Sequence, residues 1–183
     1  MFSIEKTTQA SAFLLNKHGG RMSVLKLMKL LYISDRESMK LYGYTLTGDK
    51  HVSMPYGPVL SRTLNFISMG LDAYWKEWIS DRSDHHVSLN KKELQNVDLY
   101  ALSKSNIQLL ESIYSNFASY NRFDLANYTH DNFSEWVDPD GSSLPITRES
   151  VFLALGNDEK TAKALAEREQ EISDLDELIA SMA

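Results

Sequence analysis

The chain contains no cysteine and only four prolines among its 183 residues. Without cysteine it has no disulfide, no thiol nucleophile and no cysteine-ligated zinc site. It also lacks a run of about 18 consecutive apolar residues, the length that a membrane-spanning helix needs. No small-residue cleavage site follows the short apolar stretch near the N-terminus. We therefore expect a cytoplasmic protein that does not bind the membrane.

Catalytic and metal-binding motifs are missing as well. Neither His-Glu-x-x-His, typical of zinc proteases, nor Gly-x-Ser-x-Gly, typical of hydrolases, occurs. The segment DKHVSMPYGPVLS (residues 49–61) has one glycine and two prolines, which donate no N–H, so it is a poor phosphate-binding loop. The segment starting DPDGS (residues 138–142) lacks the full ligand pattern of a calcium loop. We predict no enzyme activity, metal or cofactor; a catalytic grouping assembled only by folding stays open as an alternative.

Charge is distributed unevenly along the chain. The formal net charge is −6, and residues 157–183 contain eight acidic and three basic residues, whereas residues 1–40 contain seven basic and three acidic residues. Such opposed charge suits a protein partner of mixed charge. Because a broad nucleic-acid interface requires a strongly basic face, we expect no direct binding of nucleic acid.

Most of the chain has the apolar periodicity of helices. The segment between Ser23 and Gly43 starts after a residue that caps helices, ends at a glycine and is apolar nearly all round, so we expect it at the centre of the fold. Alternating apolar and polar residues predict short antiparallel pairs around residues 48–49 and 81–84. Pro58 suits the first turn of a helix. Besides the central helix, the predicted helices cover residues 4–18, 58–69, 103–120, 122–130, 147–156 and 157–183.

These patterns predict a mainly helical α+β fold, with about six to seven helices, a small antiparallel sheet or hairpins, and a long C-terminal helix. We expect one domain over residues 1–156, followed by an acidic amphipathic helix over residues 157–183 with Asn157 as its N-cap. Its apolar residues have a heptad-like spacing, typical of a helix that pairs with another. Either packing on its own core or self-association satisfies that pattern. The residues with this spacing are Leu165, Ile172, Leu175, Ile179 and Met182.

Two surfaces are candidates for contacts with a partner. The polar gap on the central helix holds four basic residues close to one stripe, because residues three, four and seven apart share a helix face. A stripe of this kind is commonly a solvated face; as a functional surface it binds an acidic partner. The apolar side of the C-terminal helix is the second surface. The predicted partner-binding residues are Lys26, Lys29, Arg36, Lys40, Ile172, Leu175 and Ile179.

The order of several short motifs resembles one known family. Lys-Leu-Met-Lys-Leu-Leu-Tyr (residues 26–32) precedes a Tyr-Gly turn, then Leu-Thr-Gly-Asp (residues 46–49) and Gly-Pro-Val (residues 57–59). Farther on, LANYTHDNFSEW (residues 125–136) follows. This order is similar to the Panacea, or SocA-like, domain, also known as a phage-associated protein, and the resemblance spans about residues 4–155. The motif residues to which the resemblance gives a structural role are Tyr32, Gly48, Asp49, Gly57, Pro58, His130 and Trp136.

The resemblance implies an antitoxin that neutralises a cognate toxin by direct protein binding. Some members of the family act as adaptors that pass the toxin to a protease, such as a Clp-type ATPase complex. Two alternatives stay open: an unrecognised enzyme or small-ligand-binding protein on the same scaffold, and a phage-encoded regulator of another host protein.

Overall fold

The computed structural model describes residues 1–70, 72–91, 94–95 and 98–182. Over these residues the chain forms eight helices and two small antiparallel sheets, which confirms the predicted mainly helical α+β class. No helix within these ranges has both the length and the apolarity needed to cross a lipid bilayer. The elements in chain order are α1 (Ile4–Lys17), β1 (Arg21–Ser23), α2 (Val24–Tyr42), β2 (His51–Met54), β3 (Gly57–Leu60), α3 (Ser61–Met69), α4 (Ala73–Trp78), β4 (His86–Ser88), α5 (Lys104–Phe117), α6 (Arg122–Asn132), β5 (Leu144–Ile146), α7 (Arg148–Ala154) and α8 (Glu159–Ser181).

Helix α2 is the central element, as its all-round apolar sequence predicts. The Ser23 hydroxyl accepts a hydrogen bond from the Lys26 backbone N–H at its start, and Gly43 ends it in the left-handed conformation at φ +78°. Leu27 and Leu31 are fully buried, and the helix packs against α1, α5, α6 and β3. Each such leucine contributes about 1.5–3 kcal/mol by leaving water, so α2 is the framework on which the other elements are positioned.

The first predicted strand pair is displaced along the chain. Residues 44–50 form no strand; instead β2 pairs antiparallel with β3, and the chain reverses at Pro55 and Tyr56. β5, from far along the chain, completes the sheet on the other side of β2. Pro58 therefore lies in β3 and not in the first helical turn, so helix α3 starts only at Ser61. Proline is tolerated there because β3 is an edge strand.

The strand pair predicted around residues 81–84 is partly correct. Its first residues form the short helix α4, but Ile79 bridges Leu89 and the chain reverses between Ser83 and His86. The strand that follows, β4, pairs with β1, directly before α2. This small sheet holds the start of α2 against the α4–β4 segment.

Asp49 closes the N-terminal end of α3 from outside that helix. Its carboxylate accepts hydrogen bonds from the backbone N–H groups of Arg62 (3.0 Å) and Thr63 (2.8 Å), and from the Thr63 hydroxyl (2.7 Å). Its own neighbour, Lys50, donates a further backbone N–H at 2.6 Å. The residue at the cap position, Leu60, has no side chain able to accept. Asp49 therefore supplies the oxygens that unpaired helical N–H groups require.

Helix α8 starts one residue later than predicted. Asp158, and not Asn157, is its N-cap and accepts from the Thr161 N–H, whereas the Asn157 side chain donates to the Phe152 carbonyl. The first half of α8 packs against α7, and Ala162 is fully buried there. Ala183, the last residue of the predicted helix, lies outside the described residues.

We expect Asp49→Ala to destabilise the fold more than Asp158→Ala, although both carboxylates cap a helix. Asp49 is fully buried, so its loss leaves N–H groups unpaired away from water and costs about 3 kcal/mol. Asp158 is exposed, and water replaces it. Urea denaturation followed by circular dichroism measures both losses, and equal losses would contradict a buried capping role for Asp49.

Candidate functional site

A tight contact behind the β2–β3 turn is built around Gly57. The glycine has φ +90°, and a Cβ atom there would lie 2.5 Å from the Thr129 hydroxyl, 2.9 Å from the Lys29 Nζ and 3.2 Å from His130 Nε2. The fully buried Lys29 donates a hydrogen bond to the Pro58 carbonyl at 2.7 Å. Burial lowers the pKa of Lys29 to about 7. Only glycine leaves space for the lysine amine to reach the strand.

His130 and Trp136 fix the other side of the turn. Their rings stack at a centroid distance of 4.0 Å, and the Trp136 indole N–H donates to the Met54 carbonyl at 3.1 Å. Burial, and secondarily the Lys29 charge, lower the pKa of His130. The buried Nε2 atom of His130 has no hydrogen-bond partner among the described residues. The histidine thus acts here as a flat packing surface beside the turn.

Glu135 connects the end of α6 to α2. One of its oxygens accepts from the Tyr32 hydroxyl at 2.9 Å and from Arg36 Nε at 2.8 Å. The Arg36 guanidinium also lies over the Phe133 ring, 4.3 Å from its centroid. Burial, followed by the Glu135 charge, raises the pKa of Tyr32 well above its ordinary value. Glu135 belongs to the segment of residues 125–136 that carries the family resemblance, yet the sequence alone does not indicate that it is buried.

A second buried network joins α2 to the sheet and to α8. The Asp35 carboxylate accepts from the Thr47 hydroxyl at 2.7 Å and lies 3.0 Å from His51 Nε2. An Asp–His pair is also the orienting half of a hydrolase triad, but here the other ring nitrogen lies 3.4 Å from Arg148 and not beside a hydroxyl nucleophile. Arg148 in turn contacts Glu169 of α8 at 3.1 Å. The network therefore holds elements together.

The four basic residues of α2 do not form one exposed stripe. Lys26 is buried and donates to the Ala118 and Tyr120 carbonyls just after α5, at 2.9 and 2.7 Å. Carbonyls at a helix C-terminus lack backbone partners and attract a cation, which draws this lysine inward. Lys29 is buried as described above and Arg36 is half-buried, so only Lys40 projects into solvent. A partner contact stays a prediction for Arg36 and Lys40, whereas the two lysines lie inside the fold.

The far end of α8 exposes several large apolar side chains. We define the α8 end as residues 171–182. Ile172, Leu175 and Ile179 are 42%, 58% and 65% exposed, although their spacing places them on one helix face. Leu178 and Met182 add further exposed apolar surface. The predicted apolar side of this helix is therefore half-buried at Leu165 and exposed from Ile172 onward.

A second exposed apolar feature lies between the β2–β3 turn and the start of α6. We call it the hairpin groove: a cavity of about 390 Å³ whose walls are Tyr56 and Phe123 and whose rim carries Arg82, His85 and Arg122. The floor is formed by apolar side chains of α2, β2 and α3, among them Met28, Met54 and Leu64. Sequence reasoning missed this groove, although an aromatic residue at the tip of a proline-flanked turn is a signal for it.

We expect Gly57→Ala to destabilise the protein more than Gly141→Ala. Both glycines have a positive φ, +90° and +81°, so both substitutions introduce backbone strain of about 1–2 kcal/mol. Only at Gly57 does the new methyl also collide with Thr129 and Lys29, because nothing lies within 4 Å of the Gly141 position. Thermal unfolding of the two variants measures the difference. Equal decreases in Tm would show that Thr129 and Lys29 move away from the new methyl group with no loss of stability.

Lys29 makes the stability of the fold depend on pH. Its pKa is about 7 in the folded protein and near the ordinary 10.5 in the unfolded chain, so the unfolded state binds more protons between these values. The free energy of unfolding therefore rises with pH across this window. We expect Lys29→Met, which removes the buried amine, to flatten the rise between pH 7 and pH 9, whereas Lys40→Met at the exposed position keeps it. Urea denaturation at both pH values tests this, and an unchanged slope in Lys29→Met would refute it.

Comparison with known proteins identifies the family. A family model described as antitoxin SocA-like, Panacea domain, matches residues 27–137, more than half of the chain. This range is shorter than the resemblance over residues 4–155, but it contains Tyr32, Gly57 and the other motif positions through Trp136. Neither a curated protein nor a solved structure matches the chain. Among the described residues, no cluster of three or more His, Asp or Glu side chains is arranged to hold a metal ion. The chain belongs to the SocA-like antitoxin family with a Panacea domain.

Proposed function

We propose that the protein neutralises a cognate toxin protein in the cytoplasm by binding it directly. The observation that carries this proposal is the match to the SocA-like antitoxin family over residues 27–137. The ionisable groups that the family motif contributes to the interior, such as Lys29 and Tyr32, are bonded to the chain's own carbonyl and carboxylate groups. They serve the fold, so the action on a toxin is assigned to the surface.

The α8 end is the surface that we propose for the toxin contact. Large exposed apolar patches on a soluble protein commonly mark sites of protein binding. Ile172, Leu175 and Ile179 form such a patch, and the acidic residues around them suit a toxin with a basic surface. Arg36 and Lys40 on α2 are proposed as additional contacts for acidic groups of the toxin.

The division of the chain supports this assignment. Residues 157–170 hold Ala162 and Glu169, which are buried against the rest of the protein; Glu169 accepts from the Thr45 N–H and hydroxyl at 2.9 and 2.7 Å. Residues 171–182 have no comparable buried side chain among those described. We propose that the folded body extends to about residue 170 and that the α8 end is the part available to a partner.

Co-expression tests the function. The product of the neighbouring reading frame is expressed with and without this protein, and growth of the host is measured. We expect growth to stop with the toxin alone and to resume with both proteins, and the two proteins to co-purify. Leu175→Asp/Ile179→Asp is expected to abolish rescue, because it puts charge into the apolar contact, whereas Lys163→Glu, on an exposed part of the same helix, retains it.

The amount of toxin separates two routes of neutralisation. An unchanged level of toxin in rescued cells supports blocking by binding alone. A level that falls, and recovers when the Clp-type protease is deleted, identifies the proteolytic route. Failure of both rescue and co-purification would overturn the antitoxin function for that pair.

A further inference from the structure

The α8 end combines an apolar face with charge of one sign. Residues 171–182 contain four acidic residues, Glu171, Asp174, Asp176 and Glu177, and no basic residue. Leu175 and Ile179 are 58% and 65% exposed, so the described part of the chain leaves more than half of each side chain open to water. An exposed stripe of this kind gains stability chiefly from a partner surface.

Pairing of two α8 ends with each other is unfavourable. Such a pair brings eight carboxylates together with no cation between them, and like charges on neighbouring helices repel. Within the described residues, the ion pair that reaches this segment is that of the N-terminal amine, 3.7 Å from Asp176. A stable cover for the α8 end therefore has to be apolar and basic.

The hairpin groove has both properties. Tyr56 and Phe123 are 64% and 52% exposed, although both are large aromatic residues. The rim carries Arg82 and Arg122, and neither forms an ion pair within the described part of the chain. Arg122 lies over the Phe123 ring, 4.8 Å from its centroid, so its charge is held directly beside the apolar wall. A cavity of about 390 Å³ accepts a few aliphatic side chains but not a whole helix.

The two surfaces do not meet within one molecule. The α8 end runs beside the N-terminus, where Met1, Thr45 and Ile172 line one common cavity. The hairpin groove is lined by α2, the β2–β3 hairpin, α3, the turn before β4 and α6, and none of the described residues of α8 contributes to it. An α8 end that enters the groove therefore comes from another copy of the chain.

We propose that the α8 end of one molecule binds in the hairpin groove of a second molecule. Leucine and isoleucine side chains of the helix enter between Tyr56 and Phe123, and its carboxylates face Arg82 and Arg122. The contact joins two different surfaces, so it closes into a dimer when each molecule donates its α8 end to the other. The charged rim makes the association weaker at higher salt concentration.

Complementation between two variants tests this arrangement. In the tail variant, Leu175→Asp/Ile179→Asp removes the helix surface; in the groove variant, Arg122→Glu reverses the charge of the rim. The oligomeric state of each full-length protein is measured by analytical ultracentrifugation at concentrations up to about 0.1 mM, a range that detects weak association. We expect dimers for the wild type and monomers for each variant alone. Circular dichroism confirms that each variant is folded.

The decisive sample is an equal mixture of the two variants. The tail variant keeps an intact groove and the groove variant keeps an intact α8 end, so the mixture recovers a dimer with one such contact. Direct pairing of two α8 ends predicts a different result: the groove variant dimerises on its own, and the tail variant stays monomeric in the mixture. Lys163→Glu, which alters α8 away from both surfaces, is expected to dimerise like the wild type. A monomeric wild type, or a mixture that stays monomeric, overturns the proposal.

The proposal is separable from the antitoxin function. The groove variant has an unchanged α8 end, so we expect it to lose self-association and to keep growth rescue and toxin binding. If the groove variant dimerises as the wild type does, self-association through the groove is refuted whatever the rescue assay shows. Loss of rescue in the wild type refutes the antitoxin function and leaves the ultracentrifugation result unaffected.

Discussion

The burial of ionisable side chains along α2 is the constraint on which the rest of the structure depends. A buried charge is tolerated only when a partner compensates the loss of water. Lys26 donates hydrogen bonds to carbonyls just after α5, and Lys29 donates to a carbonyl of β3. Arg36 donates to the carboxylate of Glu135. Each residue therefore fixes a different neighbour against the same helix. If α2 shifts relative to any of these elements, at least one of these hydrogen bonds breaks. Its buried donor and acceptor then have no water to replace the lost partner.

The local features of this fold were accessible from sequence, and the long-range ones were not. The caps at Ser23 and Gly43 follow from residue types next to each other in the chain. The burial of Lys29 does not, because its partner carbonyl lies 29 residues away. The predicted position of the first hairpin, around residues 48–49, is too early in the chain. The actual strand β2 also pairs with β5, about 90 residues downstream, and the local sequence does not reveal this pairing. For the candidate site, the sequence predicts the apolar face of α8 but not the hairpin groove, because the groove forms only when five segments, from α2 to α6, come together.

Most residues of the hairpin groove lie within the range that the family model matches, and the α8 end lies outside it. The matched range, residues 27–137, includes Tyr56, Arg122 and Phe123 of the hairpin groove and stops well before the α8 end. The groove is thus built on the scaffold that the family model describes, while the α8 end lies outside the matched range. In the dimer that we propose, the second copy covers the apolar side chains of the α8 end, and exposed apolar side chains are the ones that promote aggregation.

The lowered pKa of Lys29 changes the net charge of the folded protein. The formal charge of −6 counts every lysine as a cation. Because burial lowers the pKa of Lys29 to about 7, this lysine is only partly protonated near neutral pH. The folded protein therefore carries a more negative mean charge near neutral pH than the count of charged residues in the sequence gives. Any event that loosens the turn around Gly57 also takes up protons from the solvent.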